Sequence, residues 1–284
     1  MSEENINVDQ SPKKNKFINL IITKPQNIKN DILSGLTVAL ALVPEAIAFA
    51  FVAGVHPKVG LYAAFMMGLI TSIFGGRPGM ISGATGAVAV IFAPLVAKVM
   101  LMNENSGMTF DQSMESALGY LFSAVILMGL IQVICGVLKL GKLIRLVPHP
   151  VMLGFVNGLA IIIFQAQFGQ FTVDGNLLDQ LPLLIMFALI ALTMGISVYL
   201  PKLTKAVPAT LTGILVTTII GYIINEYHPG LVRTVLDFVQ EKDPSIATIA
   251  AGFPTFALPT FSLSMESFMV ILPYAVLAAA VGLI

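Results

Sequence analysis

The sequence predicts an all-α membrane protein, a polytopic helix bundle. Three observations carry that prediction. Of the 284 residues, 57% are hydrophobic and 11% are charged, whereas a soluble domain carries about 25% charged residues; so much apolar surface cannot be hidden in one globular core. The apolar residues gather into runs, most of them close to the roughly 20 residues a helix needs to cross a bilayer. The loops between the runs carry their Lys and Arg residues on alternate sides.

In chain order, residues 1–30 are polar and then Lys-rich, with no compact apolar core followed by a small-residue cleavage site. They read as a cytosolic N-terminal tail, and residues 31–284 as the transmembrane domain. Seven apolar segments follow, at 32–55, 59–74, 87–102, 117–140, 150–171, 181–200 and 207–224, with an eighth at 268–284. The second and third are too short to span alone. With the N-terminus inside and one crossing per segment, inside loops hold eleven Lys and Arg residues and outside loops four, namely Lys58, Lys98, Arg233 and Lys242. Positive charge belongs on the cytoplasmic side. The expected placement is therefore a multi-pass protein of the cell (inner or plasma) membrane with its N-terminus in the cytoplasm. Outside loops are acidic, with Glu104, Asp111, Glu115, Asp174 and Asp179. In the longest, residues 231–240 repeat apolar positions at helical spacing (Leu231, Val235, Leu236, Val239) and read as an amphipathic helix lying on the membrane face.

Two stretches break the pattern of plain spanning helices. Pro44-Glu45 stands in the middle of the apolar residues 35–55. A carboxylate at that depth costs roughly 2.5–3.5 kcal/mol on insertion scales. Pro44 marks a helix break, because it has no N–H for the carbonyl of Leu40. Unpaired backbone at membrane depth is tolerated where it is buried in protein or lines a wet cavity, so both residues point to a mid-membrane cavity. Phe49 lies one turn further on the same face. The alternative is a protonated Glu45 hydrogen-bonded to a neighbouring helix, with Pro44 a kink. The second stretch, GGRPGMISGATGA (75–87), has five glycines in thirteen residues, too many for a stable helix at about 1 kcal/mol each. The run after it, 87–102, would be about 24 Å long as a helix, against a hydrocarbon core of roughly 30 Å. This crossing is best built as an extended piece followed by a half-helix starting near Thr85-Gly86-Ala87. Such a tip offers free N–H groups and a positive dipole end to an anion, and Thr85 can cap it or donate to a bound oxygen. The alternative is an ordinary glycine-rich loop before a short helix.

Other polar residues read as structural. Asn157, between Gly154 and Gly158, is expected to join helices that the small residues let close, and Gln165 and Gln167 are read likewise. Cys135 reads as a small buried hydrophobe. His56, His149 and His228 sit at segment ends or in a loop, without metal-ligand spacing. No convergent catalytic set, P-loop, cofactor motif or metal site is visible, so an enzyme is the reading the residues least support. With zero net charge there is no overall basic character to attract nucleic acid.

Three stretches taken in order, ALVPEAIAFAFVAGVHPKVGLYAAF, GGRPGMISGATGAVAV and VPHPVMLGFVNGLAI, resemble the sulfate permease (SulP) family of anion transporters, related to the animal solute carrier 26 proteins. The resemblance extends over nearly all of the chain from Ile32 onward. It implies a 7+7 inverted-repeat transporter fold, divided into a core and a gate, of which this sequence supplies the first seven-helix repeat and part of segment 8. It implies secondary active transport of a small inorganic anion such as sulfate or bicarbonate, by proton- or sodium-coupled symport or by exchange, with an elevator-like movement of core against gate. A homodimer is expected for the full-length protein. By the family pattern Pro44, Glu45 and Phe49 match the first-helix site, and Thr85, Gly86 and Ala87 the half-helix tip. Many relatives have Gln where this chain has Glu45, a difference that suits proton coupling or a changed substrate. Relatives also carry a carboxylate further along segment 8, the second repeat and commonly a STAS domain, so the sequence reads as a fragment, incomplete in segment 8. A nucleobase permease of the same architecture is the alternative within the class; a truncated, non-transporting membrane protein is the alternative outside it.

Overall fold

The computed structural model describes residues 25–74, 80–140, 147–173, 176–204, 207–242, 252 and 264–283. Most of the expected tail, residues 75–79 of the glycine-rich stretch, and the loop residues Lys142, Arg145, Asp174 and Lys205 lie outside them. The fold is nearly all helical: α1 (Pro25–Val52), α2 (Pro57–Phe74), α3 (Gly86–Glu104), α4 (Phe110–Val137), α5 (His149–Ala166), α6 (Gln180–Leu203), α7 (Ala209–Tyr227), the short α8 (Val235–Lys242) and α9 (Met265–Leu283). A 3₁₀ turn, Gln167–Phe171, continues α5 into a small antiparallel hairpin of β1 (Thr172–Val173) and β2 (Asn176–Leu177). Eight helices, all but α8, are long and apolar enough to cross a membrane. That number includes α2 and α3 at 18 and 19 residues, which corrects the expectation that these two are too short.

Residues up to Leu40 form one compact unit and those from Ala41 a second. In the first, the described residues are the opening turns of α1. Its hydroxyls are satisfied within the helix, Ser34 Oγ donating to the Asp31 carbonyl at 3.0 Å and Thr37 Oγ1 to that of Leu33 at 2.8 Å.

In the second unit the helices end where local chemistry stops them. α1 closes in a Schellman motif: the N–H of Gly54, at φ +74°, bonds the Phe51 carbonyl, and Val55 N–H bonds that of Ala50. α3 closes the same way, with Gly107 bonding Glu104 and Met108 bonding Asn103. Thr109 and Gln112 then form a capping box that opens α4. The core follows helical periodicity. Phe92, Leu95, Val96 and Val99 of α3 pack with Ala117, Leu121 and Ala124 of α4 and with Ile271 and Ala278 of α9. A polar link ties α4 to the start of α9, where Tyr120 Oη and Ser267 Oγ stand 3.0 Å apart and Ser264 Oγ donates to Ser267 Oγ at 2.9 Å. α1 joins this core through Ala50 and Ala53 and meets α2 at a point of near contact. A Cβ placed on Gly60 would lie 2.5 Å from the Ala46 carbonyl oxygen and 2.9 Å from the Ala50 Cβ.

The small-residue argument fails elsewhere. Among the described residues, nothing lies within 4 Å of a Cβ placed on Gly154 or Gly158. Asn157 is exposed and, among the described residues, bonds no other helix. Glycine spacing alone does not say which face a neighbour covers. α1 also departs from expectation: it is helical on both sides of Pro44, which removes one hydrogen bond without ending the helix.

Candidate functional site

α3 begins partway along α1. Residues 80–85 are non-helical, and the helix starts at Gly86 with Thr85 as its N-cap at φ −120°, ψ 112°. Leu42 contacts the segment at Gly83, where a Cβ would lie 3.0 Å from Leu42 Cδ2. Phe49 contacts it at Gly86, where a Cβ would lie 2.6 Å from Phe49 Cε1. Seven residues of α1 advance about 10 Å, and three extended residues advance about the same, so the two chains keep pace. The third crossing is thus an extended lead followed by a helix, as the glycine content predicts. Thr85 makes no side-chain cap bond and is exposed. Gly86 is buried and Ala87 half-buried.

The structure therefore brings Phe49 and Gly86 together and seats Thr85 and Ala87 beside them in sequence. Glu45 stands one turn before Phe49 on the same side of α1. It is exposed and, among the described residues, makes no hydrogen bond or ion pair, so the alternative of a Glu45 bonded to a neighbouring helix is not what these residues form. Ile163 of α5 is a further member that sequence reasoning missed. Its Cδ1 would lie 3.1 Å from a Gly86 Cβ, so α5 abuts the tip of α3. No local signal marks Ile163 among the apolar residues of its helix; the contact is purely tertiary.

The Pro44 side of α1 faces a different space. A cavity of about 380 Å³ is lined by Pro44, Ala48 and Phe51 of α1, Gln167 and Gln170 after α5, and Thr218 of α7, among others. At the Phe51 end it meets α8. That helix covers 235–242 rather than 231–240 and turns part of its apolar side to protein: Val239 is 4% exposed and Phe238 meets Phe51 edge to face at 4.5 Å, while Val235 stays exposed. Arg233 anchors the approach to α8. It donates to the carbonyls of Gln170 (3.3 Å) and Thr172 (2.9 Å), pairs with Glu241 and lies over the Phe238 ring. Burial lowers the Arg233 pKa from its ordinary value, and Asp237 pulls it back up.

Fold and site together define a polytopic helical membrane protein whose third crossing begins as an extended chain beside the first helix. The profile of the sulfate permease family matches residues 28–174, just over half of the sequence, and the chain belongs to that family. It is 43% identical over 258 residues to a protein of Bacillus subtilis described as the putative sulfate transporter YbaR, covering 91% of this chain and 46% of that one. It is 31% identical over 251 residues to the bicarbonate transporter BicA of Picosynechococcus, covering 84% of this chain and 41% of that one. The solved transmembrane domain of a cyanobacterial BicA superposes with a TM-score of 0.69 at 24% identity, over 92% of this chain and 64% of that domain. The chain thus spans less than half the length of these two relatives.

Proposed function

We propose that this chain forms the leading part, residues 31–284, of the transmembrane domain of a secondary active transporter for small inorganic anions, sulfate or bicarbonate being the first to test. The observation that carries the reading is the tip of α3, whose opening N–H groups stand beside Phe49 and one turn from Glu45, in a member of a family with sulfate and bicarbonate transporters among its relatives. A helix N-terminus favours an anion through unpaired donors and its dipole. Interrupted helices near the bilayer midplane are where transporters hold such groups. Thr85 and Ala87 complete the tip, and Glu45 binds or relays a coupling proton, sodium being the other candidate ion. The complete transporter would have two inverted repeats of seven helices, an elevator-like motion, a dimeric assembly and a cytoplasmic N-terminus in the cell membrane.

Uptake of labelled sulfate and bicarbonate into proteoliposomes tests this, with and without proton and sodium gradients. Saturable uptake of one anion, insensitive to uracil, is the expected result. No flux of either anion under any gradient overturns the reading, and inhibition by uracil but not by sulfate transfers it to a nucleobase permease.

A further inference from the structure

Two apolar side chains from different helices meet at the tip of α3. Phe49 of α1 and Ile163 of α5 both lie on Gly86, where an added Cβ would stand 2.6 Å from Phe49 Cε1 and 3.1 Å from Ile163 Cδ1. Gly86 is buried and Ile163 half-buried, while Thr85 stays exposed. The start of α3 is therefore walled by hydrocarbon on two sides and open on the side of Thr85. Local chemistry holds Ile163 at this spot. In an α-helix its carbonyl would accept from the N–H of Gln167. Here α5 passes into the 3₁₀ turn at Gln167, and that N–H turns to the Phe164 carbonyl. The Gln167 side-chain amide reaches the Ile163 carbonyl instead, at 3.3 Å, and so satisfies a group at the helix end.

We propose that Ile163 is a specificity-determining residue that biases the tip toward small monovalent anions, and that Gln167 positions it. An anion that accepts from the opening N–H groups gives up water on the side that Ile163 covers, and an alkyl wall returns no hydrogen bond for it. The cost of losing that hydration rises with the square of the charge, about fourfold from a monovalent to a divalent anion of one size. A branched side chain at 163 also fills room that a larger anion needs. Ile163 thus disfavours sulfate more than bicarbonate. This rests on the transport reading given above and adds which of the two anions the α5 wall opposes.

The experiment uses the protein as its host makes it, reconstituted in proteoliposomes. It reads kcat together with the affinity for bicarbonate and for sulfate, each as KM or as an inhibition constant against the other. Ile163→Ala is expected to improve sulfate relative to bicarbonate about tenfold, the low end for removing alkyl groups from an apolar wall, and Ile163→Val to do so by less. Gln167→Met, which keeps the length and removes the amide, should move the ratio the same way. Ile162→Ala, at the exposed neighbouring residue, should leave it unchanged. A purely structural role for Ile163 would lower kcat or yield and spare the ratio. Ratios equal to the parent's in Ile163→Ala and Ile163→Val overturn the specificity role whatever happens to the rate, as does an equal shift in Ile162→Ala. A parent ratio in Gln167→Met overturns the positioning role. A parent that carries neither anion ends the transport reading and this proposal with it, whereas a parent that transports and shows no shift ends this proposal alone.

Discussion

Gly86→Ala puts one methyl group where three parts of the site converge. The new Cβ would stand 2.6 Å from Phe49 Cε1, 2.9 Å from Phe49 Cζ and 3.1 Å from Ile163 Cδ1. All three are closer than ordinary carbon contact at about 3.5–4.0 Å. The Phe49 ring must give way, and Ile163 crowds the same spot. Inserting a methyl into a packed site costs about 1–3 kcal/mol, which corresponds to roughly 5- to 150-fold in an equilibrium constant at 1.4 kcal/mol per tenfold. Because the strain falls on the helix tip, the loss is expected in the KM for anion uptake, accompanied by a lower melting temperature in detergent. Phe49→Leu shortens the colliding side chain, so Phe49→Leu in the Gly86→Ala background should recover part of the loss, a non-additivity expected only of residues in contact. A Gly86→Ala protein with the parent KM and melting temperature would refute the placement of Phe49 on the α3 tip, and so would strict additivity of the two changes.

Three further outcomes follow from the same geometry. Glu45→Ala should lower uptake about 10- to 100-fold, the range for losing one charged hydrogen-bonding partner at about 1.5–3 kcal/mol, whereas Glu45→Gln should keep binding and lose the stimulation of uptake by an imposed ion gradient; equal activity in all three proteins removes Glu45 from the site. Gly60→Ala, which meets the Ala46 backbone, should destabilise by about 1–3 kcal/mol, while Gly158→Ala, which meets nothing among the described residues, should be neutral or gain up to about 1 kcal/mol from helix propensity; thermal melts that rank them the other way contradict the α1–α2 contact. Asn225→Ala leaves the Val232 N–H and carbonyl without their partner, at about 1–3 kcal/mol, and should speed hydrogen exchange across 228–242 without altering α3 or α4; uniform protection would show that the loop is held by other means.

Much of the fold was legible because hydropathy and charge act locally. The runs at 59–74, 87–102 and 181–200 correspond to α2, α3 and α6 within a few residues. The glycine content of 75–87 identified the late start of α3 through backbone entropy alone. Interhelical contact was harder to read. Gly154 and Gly158 have the spacing of a packed face and meet nothing among the described residues, whereas Gly60, spaced in the same way with Ala64 and Gly68, presses on Ala46. Ile163 looks like any other apolar residue of α5. The spacing of Val235 and Val239 showed that α8 has an apolar side; that protein covers Val239 and Phe238 but leaves Val235 exposed became visible only with Phe51 and Arg233 in place. Such contacts depend on residues far apart in the chain, and no short window carries them.

Among the described residues, the peptide groups of residues 80–84 have no backbone hydrogen-bond partner, and bare amides are not stable against acyl chains. If this strip beside Leu42 and Phe49 stands at membrane depth, its peptide groups need a hydrated or proteinaceous surrounding until neighbours enclose them, and insertion of the third crossing would then depend on the crossings around it.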